Sequence, residues 1–341
     1  MARPERVESS IPYIEAMLNY LDDSGERPES YGGVSQRLAD EKRKGKYREH
    51  RTKIYNARAI AGQLSLEREG FILVNHDTRM KDFYDEDEVR SLYYRETEEL
   101  VKRTSGAARV LVFDHTLRSA DEAKREEKQI SGPVRNAHND YTEWSGPQRV
   151  RDLLPAEAEE LLKRRFAVVQ TWRPINRPVR REPLAVADGR SIGEKELIAS
   201  ARIYPDRRGE VYHSTFNPEH VWYYFPNMQP NEAIVFKTFD SEKDGRTRWT
   251  AHCAFDDPTS PPDAPPRESI EMRTLAFFEQ QASFKPFAKE LDTAQRRGHC
   301  VSLSPCPVSP CLFVSVSPCL PVSLSPCLLI PLLRVVPLIS V

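Results

Sequence analysis

Apolar and polar positions along this chain change period several times, and each period predicts a different element. Just after Pro12, Ile14, Met17, Leu18 and Leu21 recur at helical spacing and predict a helix near the N-terminus. Val89, Leu92, Tyr93, Leu100 and Val101 form one stripe of a longer helix over residues 85–103, with acidic residues in its first turn and Gly106 past its end. Between the two, GFILVNH (residues 70–76) is an apolar run that predicts a buried strand, and ARVLVFDH (108–115) predicts another. From there on strands dominate. FAVVQTW (166–172) follows a short helix opened by Pro155, and ARIYPDRRGEVYHSTF predicts a hairpin turning at Gly209. VWYYFP (221–226) is a strand by its β-branched and aromatic content; the turn NMQPNE and the strand AIVFKTFDS (233–241) follow. A further pair, 238–241 and 248–255, is predicted around the Asp-Gly turn of KDGR. Short strands spaced by about eight to twelve residues, without long helices between them, point to a sandwich or jelly roll. The expected class is mainly β with flanking helices. A helical or mixed part would cover about residues 1–105 and a β core about 106–280, in a single domain reaching residue 299.

The pattern fails beyond residue 300. VSLSPCPVSPCLFVSVSPCLPVSLSPCLLIPLL repeats a V-S-x-S-P-C unit with slips in spacing, and proline recurs too often for a helix or a central strand. Its cysteines (Cys300, Cys306, Cys311, Cys319, Cys327) lack the paired C-x-x-C units of a metal segment. Residues 300–341 therefore read as a low-complexity Pro/Ser/Cys tail without a fold. The terminal LLIPLLRVVPLISV is short and carries Arg334 and two prolines, so no membrane span is expected. Cys253 alone lies in the body of the chain, which excludes a disulfide framework there. The 50 basic and 51 acidic residues are interspersed, so no nucleic-acid partner is expected. MARPERVESS has no apolar segment behind it, so a signal peptide is not expected and a cytoplasmic location is.

Candidate chemistry gathers at three places. His138-Asn139-Asp140 is an H-x-D triplet, and in extended backbone it turns an imidazole and a carboxylate to one side. His252, in the strand sequence TAHCAF, supplies a third ligand, and two histidines with one carboxylate make the open face of non-haem Fe(II) oxygenases. Farther on, Arg267 and Ser269 form an R-x-S pair: a guanidinium fork and a hydroxyl suited to the far carboxylate of a dicarboxylate. Each residue taken alone has an ordinary explanation. His138 and Asp140 suit a polar turn, His252 a satisfied core histidine, and Arg267 and Ser269 a strand edge. Their order is what carries the chemistry. His115, in FDHTLR, is a rival ligand with no carboxylate at the right offset. Tyr141, Trp172, Tyr212, Trp222 and Tyr224 are candidate substrate contacts, although most strand aromatics are core, and Arg173 and Lys237 are possible polar contacts.

The segments LSLEREGFILVNH, HNDYTEWSGPQRV, WRPINRPV, YHSTFNPEHVWYYFPNM, DGRTRWTAHCAF and PPRESIEMR together resemble the AsaB/CmcJ-like hydroxylase/desaturase family of secondary metabolism, over roughly residues 60 to 278. The resemblance implies a double-stranded β-helix core and oxidation of a small molecule with dioxygen, using Fe(II) and 2-oxoglutarate. It also implies that His138, Asp140 and His252 ligate the iron and that Arg267 anchors the co-substrate. A metal-dependent hydrolase or lyase on the same barrel, and a non-catalytic binding module, are the rival expectations. The first would have no need of Arg267 and the second none of three ligands.

Overall fold

The N-terminal segment shows how tertiary burial overrides a short periodicity. The computed structural model describes residues 10–22, 24–25, 27–31, 44–205, 207–279, 299–305 and 312–318. In it the expected first helix is a strand, β1 (Tyr13–Asp22), paired residue for residue with β3 (Lys46–Asn56), from Tyr13↔Tyr55 to Asp22↔Lys46. Ala16, Leu18 and Tyr20 are buried at period two, while Tyr13 and Met17 are exposed. Four apolar residues fitted a helical stripe only because Ala16 and Tyr20 were left out of it.

The other strands of the body are β2 (Glu29–Tyr31), β4 (Phe71–Asn75), β5 (Arg109–Ser119), β6 (His138–Asn139), β7 (Phe166–Pro174) and β8 (Leu184–Ala187). They continue as β9 (Leu197–Ile203), β10 (Arg208–Ser214), β11 (Trp222–Tyr224), β12 (Glu232–Asp240), β13 (His252–Ala254) and β14 (Glu268–Phe277). They build a nine-stranded sheet, β1-β3-β11-β8-β13-β6-β10-β9-β2, and a five-stranded sheet, β4-β12-β7-β14-β5. A shared apolar cluster packs the two together: Tyr55, Val186 and Tyr223 from the larger sheet meet Phe71, Trp172, Ile234 and Phe236 from the smaller. Side chains alternate along each strand, so one face of each looks into this layer.

Helices cover the smaller sheet, as expected. Asp85 caps the first of them by accepting from the backbone N–H groups of Asp87 and Glu88. A turn of π-helix (Val89–Tyr93) leads into an α-helix (Tyr94–Ser105) that ends on Gly106 at φ 74°. Leu100 and Val101 of that helix pack on Val110, Ala167, Val169, Val235 and Ala276. Ser145–Leu153 and Ala158–Leu161 seal another part of the sheet through Val150 and Ala158, against Phe166, Val168 and Phe239.

Two turns differ from expectation. The β9–β10 hairpin turns between Ile203 and Arg208, where Tyr204 N–H donates to the Arg207 carbonyl at 2.9 Å; Gly209 lies inside β10, opposite Arg202. The segments flanking KDGR are not a hairpin. β12 already has β4 and β7 on its two edges, so the chain leaves it for the other sheet and pairs β13 with β8 and β6.

The chain divides into two units, residues 1–280 and 281–341. In the second, β15 (His299–Pro305) and β16 (Leu312–Pro318) form a two-stranded antiparallel ladder, from His299↔Pro318 to Pro305↔Leu312. Both strands of a two-stranded ribbon are edges, and Pro305 and Pro318 stand at strand ends, where a missing N–H costs little. Residues 306–311 and 319–341 lie outside the described residues.

Candidate active site

β6 is only two residues long, but its position between β13 and β10 brings the chemistry together. His252 of β13 is the direct cross-strand partner of His138, and His213 of β10 faces His138 from the other side. Directly paired residues share a face, so three histidines line up across the sheet. The rings of His138 and His252 are 4.4 Å apart, and those of His138 and His213 are 6.3 Å apart. Asp140, two residues beyond His138, turns to the same side, and its Oδ1 lies 3.4 Å from His138 Nε2. One ligand atom from each of His138, Asp140 and His252 falls within 4.8 Å of the other two.

The remaining atoms of these three side chains are already engaged. His138 Nδ1 donates to the Asn136 carbonyl at 2.8 Å, and His252 Nδ1 donates to the Thr250 carbonyl at 3.0 Å. A carbonyl only accepts, so each ring carries a proton on Nδ1 and turns Nε2 to the centre as its ligating atom. Buried His252 Nε2 has no hydrogen-bond partner among the described residues. Asp140 Oδ2 accepts from Gln170 Nε2 and from Arg273 Nε, each at 2.9 Å, which leaves Oδ1 facing the histidines. Burial opposes ionisation of Asp140, but the Arg273 guanidinium outweighs it and holds the carboxyl well below the usual range. Burial, reinforced by His138, pushes His252 down to about 4, so its imidazole is neutral at neutral pH. Two imidazoles that turn Nε2 inward and an ionised carboxylate on one face fit a divalent metal of the non-haem iron type.

Across the layer, β14 presents Arg267 just before its start and Ser269 within it, 2% and 1% exposed. Arg267 Nη1 donates to the Glu182 carbonyl at 2.8 Å, and the guanidinium stands 5.4 Å over the Trp172 ring. Its Nε and the Ser269 Oγ are both buried without a hydrogen-bond partner among the described residues. Burial, with Arg118 nearby, pushes the Arg267 guanidinium down to about 9. A buried cation with an unused donor beside an unused hydroxyl fits a carboxylate, as the far end of 2-oxoglutarate requires.

Sequence reasoning missed Gln170 and Arg273. A signal was present. Arg267, Ser269, Glu271 and Arg273 alternate with Ile270 and Met272, and a second period-two polar set on a central strand is worth a search. Glu271 is buried between Arg273 and Arg118, whose Nε is 3.6 Å away.

The suggested substrate contacts separate. Trp172 is at the site, beneath Arg267. Tyr141 follows Asp140 and packs on Phe113 at 6.4 Å; burial raises its phenol. Tyr212 pairs with Asn139, and Tyr224 shares its row with Ala185 and Cys253, so both point away from the face that carries His138 and His252. The cavity of about 510 Å³ that Tyr212 lines with Glu143, Arg248 and Trp249 contains none of the three ligand candidates. Trp222 also lies on the far face and donates to Tyr20 Oη at 2.6 Å. Arg173 and Lys237 lie buried on the other face of the smaller sheet. Arg173 bonds the Pro230 carbonyl, and Lys237 bonds Glu67 at 3.0 Å and Asp240 at 2.9 Å. His115 is held on the helical side by Tyr94 at 3.0 Å and Glu86 at 3.1 Å.

A two-histidine, one-carboxylate face inside a jelly roll defines the class of non-haem Fe(II) oxygenases. The family described as an oxidoreductase/YMDC permease-like domain matches residues 18–277. The hydroxylase/desaturase efuI of Hormonema carpetanum is 35% identical over 79% of this chain and 97% of its own. The Fe(II)/2-oxoglutarate-dependent dioxygenase nvfI of Aspergillus novofumigatus is 31% identical over 76% of this chain and 95% of its own. A solved structure of the iron and alpha-ketoglutarate-dependent endoperoxidase NvfI superposes with a TM-score of 0.69 at 27% identity, covering 79% of this chain and 99% of that one. The chain belongs to the hydroxylase/desaturase family of Fe(II)/2-oxoglutarate-dependent oxygenases. It is an oxidoreductase that uses iron, 2-oxoglutarate and dioxygen on a small molecule. No helix among the described residues is long and apolar enough to cross a membrane.

Proposed function

We propose that His138, Asp140 and His252 hold the Fe(II) of this oxygenase and that Arg267 and Ser269 grip the far carboxylate of 2-oxoglutarate. Bound there, iron and co-substrate supply the oxidation of an unactivated C–H bond by dioxygen, with succinate and carbon dioxide as co-products. The observation that carries the assignment is the convergence of three ligand atoms within 4.8 Å, with His138 Nδ1, His252 Nδ1 and Asp140 Oδ2 each tied to a protein partner. The side chains' own work is orientation and exclusion of water. The backbone carbonyls fix both ring orientations, Phe236 packs 4.9 Å from His252, and Trp172 backs the anchor guanidinium.

The substrate in this reading is a natural-product intermediate, and the reaction is hydroxylation or desaturation. Tyr141 and Trp172 are the aromatic contacts we retain for the site; Tyr212 and Tyr224 are set aside because they face away from it. The working domain in this reading is residues 1–299 and the tail adds nothing to the chemistry. The enzyme operates in the cytoplasm in this reading, which suits a buried, unbridged Cys253 and a supply of reduced iron and 2-oxoglutarate. The test is succinate release and oxygen uptake by iron-loaded protein with 2-oxoglutarate, followed by mass analysis of candidate intermediates. Wild type should release succinate and His138→Ala or His252→Ala should not. A product heavier by one oxygen marks hydroxylation, and one lighter by two hydrogens marks desaturation. Succinate release that survives loss of His252 overturns the ligand assignment.

A further inference from the structure

Two side chains from the smaller sheet converge on a single oxygen of Asp140. Gln170 of β7 and Arg273 of β14 are cross-strand partners, so they stand side by side on the face that looks toward His138 and His252. Both donate to Oδ2, each at 2.9 Å. Neither donor is free to drift. Gln170 Nε2 also lies 3.2 Å from Thr238 Oγ1, and Arg273 Nη1 bonds Thr116 Oγ1 at 2.8 Å and Asp114 at 3.1 Å. Arg273 Nη2 pairs with Glu271. The guanidinium is thus held on three sides by the smaller sheet while its Nε reaches across to the larger one.

We propose that Arg273 and Gln170 are positioning residues that hold Asp140 as a one-oxygen ligand: they occupy Oδ2 and present Oδ1 alone to the metal. Asp140 lies just beyond the two-residue strand β6 and has no ladder of its own to fix it, so its rotamer depends on these two donors. A carboxylate free to rotate could chelate the ion with both oxygens and use up a position that co-substrate or dioxygen needs. The clamp therefore acts on coordination number as well as affinity. Arg273 further ties the ligand to the strand that carries Arg267 and Ser269, so one element sets both the metal carboxylate and the co-substrate anchor.

Charge and position pull in opposite directions here, which makes the idea testable. A guanidinium beside a divalent cation repels it, so removing Arg273 for its charge alone would tighten metal binding. Removing a positioning group weakens it, by roughly ten- to a hundredfold for typical partners of metal ligands. The inference rests on Asp140 being a metal ligand, so Asp140→Ala is run beside the test variants. Metal-free full-length protein is titrated with Co(II), reading the visible d–d spectrum for affinity and coordination, for wild type, Arg273→Gln, Arg273→Lys, Gln170→Met and Asp140→Ala. The expected result is weaker binding in all four variants. In Arg273→Gln and Gln170→Met the spectrum should also move toward higher coordination, because Oδ2 is released. Arg273→Lys should resemble Arg273→Gln, since an ammonium keeps the charge but cannot serve Asp140, Asp114 and Thr116 at once. If Arg273→Gln proves insoluble, Gln170→Met carries the test. Unchanged or tighter binding and an unchanged spectrum in Gln170→Met and Arg273→Gln, with binding lost in Asp140→Ala, overturn the clamp and leave the ligand assignment standing. Binding retained in Asp140→Ala overturns the ligand assignment itself.

Discussion

Replacing Arg267 by methionine should raise or preserve the stability of the ligand-free protein while destroying its hold on 2-oxoglutarate. Burial pushes this guanidinium from 12.5 to about 9, so keeping it charged in the empty fold costs about 5 kcal/mol at most. Below pH 9 it is protonated in folded and unfolded chains alike, so the cost is fully present at neutral pH and is relieved only as pH rises through 9. Against this stand one hydrogen bond to the Glu182 carbonyl and the contact with Trp172, together about 2 kcal/mol. Methionine keeps the apolar stem and removes the buried charge, so the denaturation midpoint of the ligand-free variant should stay level or rise. Affinity goes the other way. Losing a buried charged partner costs about 2–5 kcal/mol, or roughly thirty- to several-thousandfold in the dissociation constant. The assay is anaerobic titration of 2-oxoglutarate into Fe(II)-loaded protein, following the visible band of the chelated keto acid, with urea unfolding in parallel. A variant that is clearly less stable yet binds 2-oxoglutarate within about threefold of wild type would show that Arg267 is a structural residue.

Three further outcomes follow from features around the site. Gly70 sits at φ 94°, and a Cβ there would meet Thr250 Oγ1 at 2.3 Å; since the Thr250 carbonyl orients His252, Gly70→Ala should cost about 3 kcal/mol in urea unfolding and weaken Co(II) binding as well. Burial, then Arg173, pushes His76 down to about 4 from an ordinary 6.5, so the unfolded chain takes up this proton first and stability falls as pH drops from 6.5 through 4, by up to about 3 kcal/mol. His76→Asn cannot titrate, and its unfolding free energy should lack that part of the pH dependence; parallel slopes for the two proteins between those pH values would refute it. Asp85→Ala removes a cap that serves two backbone N–H groups, and should lower stability by about 1 kcal/mol with no change in 2-oxoglutarate affinity, as read by the same two titrations.

The sequence by itself determined the local elements whose periodicity and punctuation agree. Residues 70–76, 108–115, 166–172 and 233–241 became strands, and the helix over 85–103 ended at Gly106, because each run is long enough, or capped well enough, for local preference to match its tertiary surroundings. The H-x-D, His and R-x-S signals were also readable, since period two in extended backbone places alternate side chains on one face whatever the fold. The tertiary structure decided what depends on partners distant in sequence. β1 is a strand because β3 offers it a full ladder, and the KDGR flanks part because β12 has no free edge. Tyr212 and Tyr224 turn away from the site because the register with β6 and β8 assigns their faces, and a one-residue difference in register reverses every side chain. The clamp on Asp140 lay deepest out of reach. Gln170 and Arg273 are 30 and 133 residues from it, on the opposite sheet, and only the packing of the two sheets brings their donors to one carboxylate oxygen.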